Sequence, residues 1–116
     1  MNVLDHKTVE KYILSLPGAK LDYPFGQDVA VYKVNDKMFA LITEKADPPR
    51  LSLKCDPKLA EVLRGKYETV MAGYHLNKKH WNTIVLSGQL DWEEITGLII
   101  HSYNLVTKNG AETPEY

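Results

Sequence analysis

The spacing of apolar residues along the chain changes period several times, and each change marks an element. In residues 5–16, DHKTVEKYILSL, the apolar positions Val9, Tyr12, Ile13 and Leu16 fall at i, i+3, i+4 and i+7. That is one stripe of a helix, and Pro17-Gly18 stops it. LDYPFGQD follows without periodicity and reads as a loop punctuated by Pro24 and Gly26. VAVYKV (29–34) and KMFALIT (37–43) are β-rich runs separated by Asn35-Asp36, two residues that tolerate positive φ, so a hairpin is expected. EKADPP is a loop, because Pro48-Pro49 cannot feed a central ladder.

RLSLK (50–54) alternates polar and apolar. Leu51 and Leu53 are expected to face a core, with Arg50, Ser52 and Lys54 on the opposite side. Asp56 is a good N-cap and Pro57 a good first helical residue for the helix KLAEVLRGKY, with Gly65 placed as its C-cap. TVMAGY (69–74) and NTIVLSG (82–88) supply a fourth and a fifth strand, and Ser87-Gly88 turns the chain. Asp91 caps a last helix, WEEITGLIIHSYNLVTK, with Glu93 and Glu94 in its first turn and a stripe of Trp92, Ile95, Leu98, Ile99, Tyr103 and Val106.

The resulting order is α-β-β-β-α-β-β-α. Sequential hairpins and helices on one face predict an α+β, two-layer sandwich with a mainly antiparallel five-stranded sheet, whose other face is open. At 116 residues the chain is expected to be a single domain, 1–116, with its core at about 5–108 and a frayed polar tail at 109–116. Composition adds limits. The N-terminus lacks the apolar run of a secretory signal, and no stretch is long and apolar enough to span a bilayer. Cys55 is the single cysteine, which fits a reducing cytoplasm and leaves neither an internal disulfide nor a multi-cysteine zinc site. A cytoplasmic monomer without a cofactor is expected.

The net charge of −1 argues against a general polyanion binder, but its distribution is uneven. Residues 50–80 hold seven basic groups (Arg50, Lys54, Lys58, Arg64, Lys66, Lys78 and Lys79) against three acidic ones. A local basic field matters more to a partner than the total does.

The densest chemistry in that stretch is YHLNKKHWN, residues 74–82. His75 and His80 are five apart, so they do not share a helix face, and too few ligands surround them for a metal site. Asn77 is placed to N-cap a single turn of Lys78-Lys79-His80-Trp81. Free backbone N–H groups flanked by two lysines would then hold an anion, with Asn77, His75 or Trp81 near sugar or base. The alternative is a purely structural turn: Trp81 in the core, His80 bonded to backbone, the lysines solvated.

No nucleophile stands in a recognisable motif, and GxxxxGK[ST] and GxGxxG are absent. No catalytic residue is assigned, and the protein is not expected to be an enzyme. Convergence of Asp22, His75 and His80 would revive that alternative. DYPFG (22–26) reads as a rigid turn with Tyr23 and Phe25 packed under the sheet, or else as a pocket wall. Cys55 reads as an inert half-buried thiol, and His6, His101 and Asn104 as surface positions.

LPGA (16–19), YPFG (23–26), YKVNDKMFALI (32–42), LSLKCDP (51–57), GYHLNKKHWNTIVL (73–86) and SYNLV (102–106) together resemble the YjbR/MmcQ family of small bacterial proteins. The likeness runs from about residue 8 to about 107, with LNKKHWNT its most specific stretch. It implies a compact two-layer fold related to CyaY-like and secretion-chaperone-like architectures. It also implies DNA binding, a label that rests on similarity of the sheet to a "double wing" module of a phage transcription factor. No catalytic set comes with it. The combined expectation is modest nucleic-acid binding, to DNA first, through the open sheet face and the 75–81 turn. His75, Asn77, Lys78, Lys79, His80, Arg50 and Lys54 would make contacts, and Trp81 would be structural or would stack on a base. The rival expectation is a protein- or peptide-binding module that uses the sheet face or a free edge.

Overall fold

A computed structural model describes residues 5–73 and 76–108. The tail expected to fray, 109–116, and the candidate contact residue His75 lie outside the described residues.

The elements run α1 (His6–Leu14), β1 (Lys20–Asp22), β2 (Val29–Val34), β3 (Lys37–Thr43), β4 (Arg50–Lys54), α2 (Pro57–Lys66), β5 (Val70–Ala72), β6 (Trp81–Val85) and α3 (Trp92–Lys108). The strands form one antiparallel sheet in the order β1-β2-β3-β4-β6-β5. The α+β two-layer fold read from the sequence is therefore correct, with six strands in place of five. The added strand, β1, falls in the segment read as loop. Lys20-Leu21-Asp22 is too short to show a period and is wholly exposed. Its extended form comes from pairing with β2, which no local signal announces.

Local chemistry accounts for most boundaries. Asn35 and Asp36 take φ of 54° and 64°, as a tight two-residue hairpin turn between β2 and β3 requires. The Asp56 carboxylate accepts from the Lys58 and Leu59 N–H groups, capping α2 with Pro57 in its first turn. Asp91 accepts from the Glu94 N–H at the start of α3. Gly65 does not end α2: the helix runs to Lys66, and Tyr67 leaves it in an extended conformation. The cis peptide among the described residues is Asp47–Pro48, so Tyr23–Pro24 is trans.

All three helices pack on one face of the sheet. Their shared core holds Val9 and Ile13 of α1, Tyr32, Phe39, Ile42, Leu51, Leu53 and Ile84 of the sheet, and Ile95, Ile99 and Val106 of α3. Ser102 of α3 enters where β3 and β4 separate. Its hydroxyl accepts from the Lys54 N–H (3.0 Å) and donates to the Phe39 carbonyl (2.5 Å). Tyr103 donates to the Pro17 carbonyl at 2.5 Å, tying α3 to the loop after α1.

The second face is not the open platform expected. Val31, Met38, Leu41 and Trp81 form a second buried cluster there, and Leu76 from the β5–β6 connection packs on it. Ser52 and Thr83 share a hydrogen bond of 2.8 Å and are also buried. Leu76, an apolar residue inside a polar motif, is the part of the connection that covers this cluster among the described residues.

Candidate nucleic-acid interface

The turn 76–80 sits between β5 and β6, at the far end of the sheet from β1. Its backbone is shaped from within by Asn77. The Asn77 side-chain oxygen accepts from the Lys79 N–H (3.0 Å), and its carbonyl accepts from the His80 N–H (3.2 Å). Asn77 thus starts a single turn, as its place in the sequence implies. The expected cradle of free N–H groups does not follow, because two of those donors are spent on Asn77 itself.

The turn is also clamped from behind. Arg64 of α2 donates through Nε to the Asn82 side-chain oxygen (2.6 Å), and through one terminal nitrogen to the Lys78 carbonyl and to the Trp81 carbonyl (3.3 Å). Asn82 in turn donates to the Ala60 carbonyl at 3.3 Å. Below the turn, the Cys55 N–H donates to the His80 carbonyl (2.8 Å) and the Gly73 N–H to the Trp81 carbonyl (2.9 Å). Glycine is required at residue 73. A Cβ there would lie 2.7 Å from Trp81 Cβ, and 3.2 Å from both the Trp81 carbonyl oxygen and Leu76 Cβ. Arg64 was legible in the sequence only as one of the basic groups of residues 50–80. Its role as the clamp depends on α2 lying against β6, which spacing does not reveal.

The sequence-predicted contact residues separate in space. Lys78 and Lys79 are exposed at the turn. The Lys78 ammonium also donates to the Gly73 carbonyl at 3.2 Å. His80 is partly exposed, and burial together with the nearby cations Lys79 and Lys54 lowers its pKa below the ordinary histidine value. Arg50 is exposed on the outer face at the other end of β4, roughly 13 Å along the strand from Lys54. Lys54 corrects the expectation: it is only 1% exposed, opposite Trp81 in the ladder, with its ammonium 5.9 Å from the indole centroid. A side chain so buried offers no surface for phosphate contact. Trp81 is fully buried. Its indole N–H has no hydrogen-bond partner among the described residues, and a ring so buried cannot stack on a base without rearrangement.

The remaining candidate groups do not assemble. Asp22 lies on edge strand β1 and His80 just before β6, four strands away, so they form no carboxylate–imidazole pair. Among the described residues, no three His, Cys, Asp or Glu side chains converge on a point. Cys55 is buried, and burial raises its thiol pKa to about 11, making it a poor nucleophile. His101, expected at the surface, is half-buried. Its Nε2 accepts from the Asp56 N–H at 3.1 Å, and burial lowers its pKa. Tyr23 and Phe25 are not packed under the sheet but 38% and 56% exposed.

Comparison with known proteins covers most of the chain. The family model described as YjbR matches residues 14–105. The Escherichia coli O157:H7 protein YbdF is 35% identical over 101 residues, covering 87% of this chain and 83% of that protein. YjbR of Escherichia coli K12 is 38% identical over 93 residues, covering 80% of this chain and 79% of that protein. Among solved structures, a Deinococcus radiodurans protein with a DUF419 domain superposes with a TM-score of 0.89 at 37% identity, over 99% of this chain and 87% of that one. A Pseudomonas syringae protein does so with a TM-score of 0.76 at 33% identity, over 88% of this chain and 98% of that one.

Proposed function

The chain belongs to the YjbR family, and from that premise and the geometry of the turn we propose that it is a non-enzymatic, cytoplasmic nucleic-acid-binding domain, with DNA its first candidate ligand. The reading differs from the sequence expectation in where contact is made. The 76–80 turn is the contact element, and the broad sheet face is not. The observation that carries it is the pairing of two exposed lysines with a backbone clamped by Arg64 and Asn82. A turn held in advance loses little conformational entropy on binding. Two adjacent ammonium groups on it can neutralise phosphates on a sequence-independent basis. Asn77 and His80 flank them, and Arg50 offers a more distant third contact. Lys54 and Trp81 play no direct part in this reading.

Fluorescence anisotropy with labelled single- and double-stranded DNA and RNA, at about 50 and 200 mM salt, tests it. Binding that weakens with salt is expected. Lys78→Ala with Lys79→Ala should weaken it alike on all sequences and flatten the salt slope by about two units. Absence of binding at low salt, or a slope indifferent to both lysines, would remove this function from the turn.

A further inference from the structure

The sheet has two edges, and the one at β1 has an unusual charge pattern. Lys20, Leu21 and Asp22 are all exposed and, among the described residues, pair on one side only, with β2. Alternation puts Lys20 and Asp22 on the outer face and Leu21 on the helix face. Lys20 stands directly across from Lys33, so two like charges are neighbours in the ladder, an unfavourable pairing. Asp22 reaches Lys33 diagonally, at 3.9 Å. Leu21 is 38% exposed, and Tyr23, next but one along the chain, is as exposed.

We infer that β1 pairs antiparallel with β1 of a second copy of this chain, about a two-fold axis through Leu21, joining two sheets edge to edge. In that register Lys20 faces Asp22 of the partner subunit, Asp22 faces the partner's Lys20, and the two Leu21 side chains meet. The acid offsets the lysine pair within each copy. The tripeptide Lys-Leu-Asp is self-complementary under a two-fold axis, as an isologous interface requires. The register is also the favoured one. A slip of two residues sets lysine against lysine or aspartate against aspartate, and a slip of one turns every side chain to the wrong face. An edge lysine ordinarily repels strand addition. Here the acid two residues on admits this chain while still opposing others.

Three residues on each side fall well below the roughly 800 Å² per partner of a standard interface, so the association is weak and concentration-dependent. It stands apart from nucleic-acid binding, because β1 and the 76–80 turn lie at opposite ends of the sheet. Sedimentation of the full chain at low salt, from about 10 μM to about 1 mM, spans the range for so small a contact. The wild type should form dimers. Lys20→Asp and Asp22→Lys should each weaken dimerisation at least about tenfold, the effect of one unfavourable charge contact at each symmetric position. The double swap, Lys20→Asp with Asp22→Lys, should restore it, and so should mixing the two single variants. Circular dichroism melts confirm that each variant is folded. A wild type that stays monomeric throughout, or dimers indifferent to these charges, overturns the inference; in the second case another surface, such as the β5 edge, is the contact.

Discussion

At the scale of single residues, buried polar groups are the sensitive points. The Ser102 hydroxyl satisfies two backbone groups of different strands in a dry core. Ser102→Ala removes both bonds, one to the Lys54 N–H and one to the Phe39 carbonyl. A loss of about 1–3 kcal/mol in urea unfolding is expected, although the change is one oxygen atom. His101 gives a pH signature. Its folded-state pKa is lowered by burial, so the native state favours neutral imidazole, with Nε2 accepting from the Asp56 N–H. The unfolded chain takes up its proton at about pH 6.5. Below that pH the unfolded state binds more protons, and stability falls until the folded-state pKa is passed. His80 is shifted in the same direction and adds to the effect. Chemical unfolding at a series of pH values between about 7.5 and 5.5 should show this decline, and His101→Gln should make it shallower. The two turn lysines also differ. Lys79→Ala should reduce binding without changing the melting temperature. Lys78→Ala should lower both slightly, because it also forfeits the bond to Gly73.

At the scale of elements, the contact between α2 and the β5–β6 connection is the structural feature on which the function proposal depends. Arg64 spans it, bonding to Asn82, Trp81 and Lys78. Arg64→Gln should cost about 1.5–3 kcal/mol, the value of hydrogen bonds to a charged group. It should also raise amide exchange at 78–80 before it affects the central strands. If the turn works because it is held, the same variant should weaken nucleic-acid binding by more than one lost charge accounts for. An Arg64→Lys variant keeps the charge but not the planar fork, and separates these effects. Elements with strong local signals were readable in advance: β2, β3 and β4 were bounded correctly from alternation and turn residues alone. β1 was not, since its state depends on a neighbour across the sheet.

At the scale of the whole molecule, the fold places two distinct surfaces at opposite ends of one sheet: the lysine-bearing turn between β5 and β6, and the charge-paired edge of β1. Salt should act on both. It should weaken phosphate contacts at the turn and screen the Lys20–Asp22 pairs at the edge, so anisotropy and sedimentation are best compared at the same ionic strength. The chain by itself determined the three helices, five of the six strands, the hairpin at Asn35-Asp36, the caps at Asp56 and Asp91 and the two-layer class, because each follows from periodicity or from bonds within a few residues. It also singled out LNKKHWN as the unusual stretch. Only the tertiary structure decided what that stretch exposes. Long-range packing buries Lys54 and Trp81, brings Arg64 behind the turn, fills two of its N–H donors with Asn77, and leaves Lys78 and Lys79 outside. Exposure depends on which residues from distant segments lie on top of a side chain, and local spacing carries no record of them.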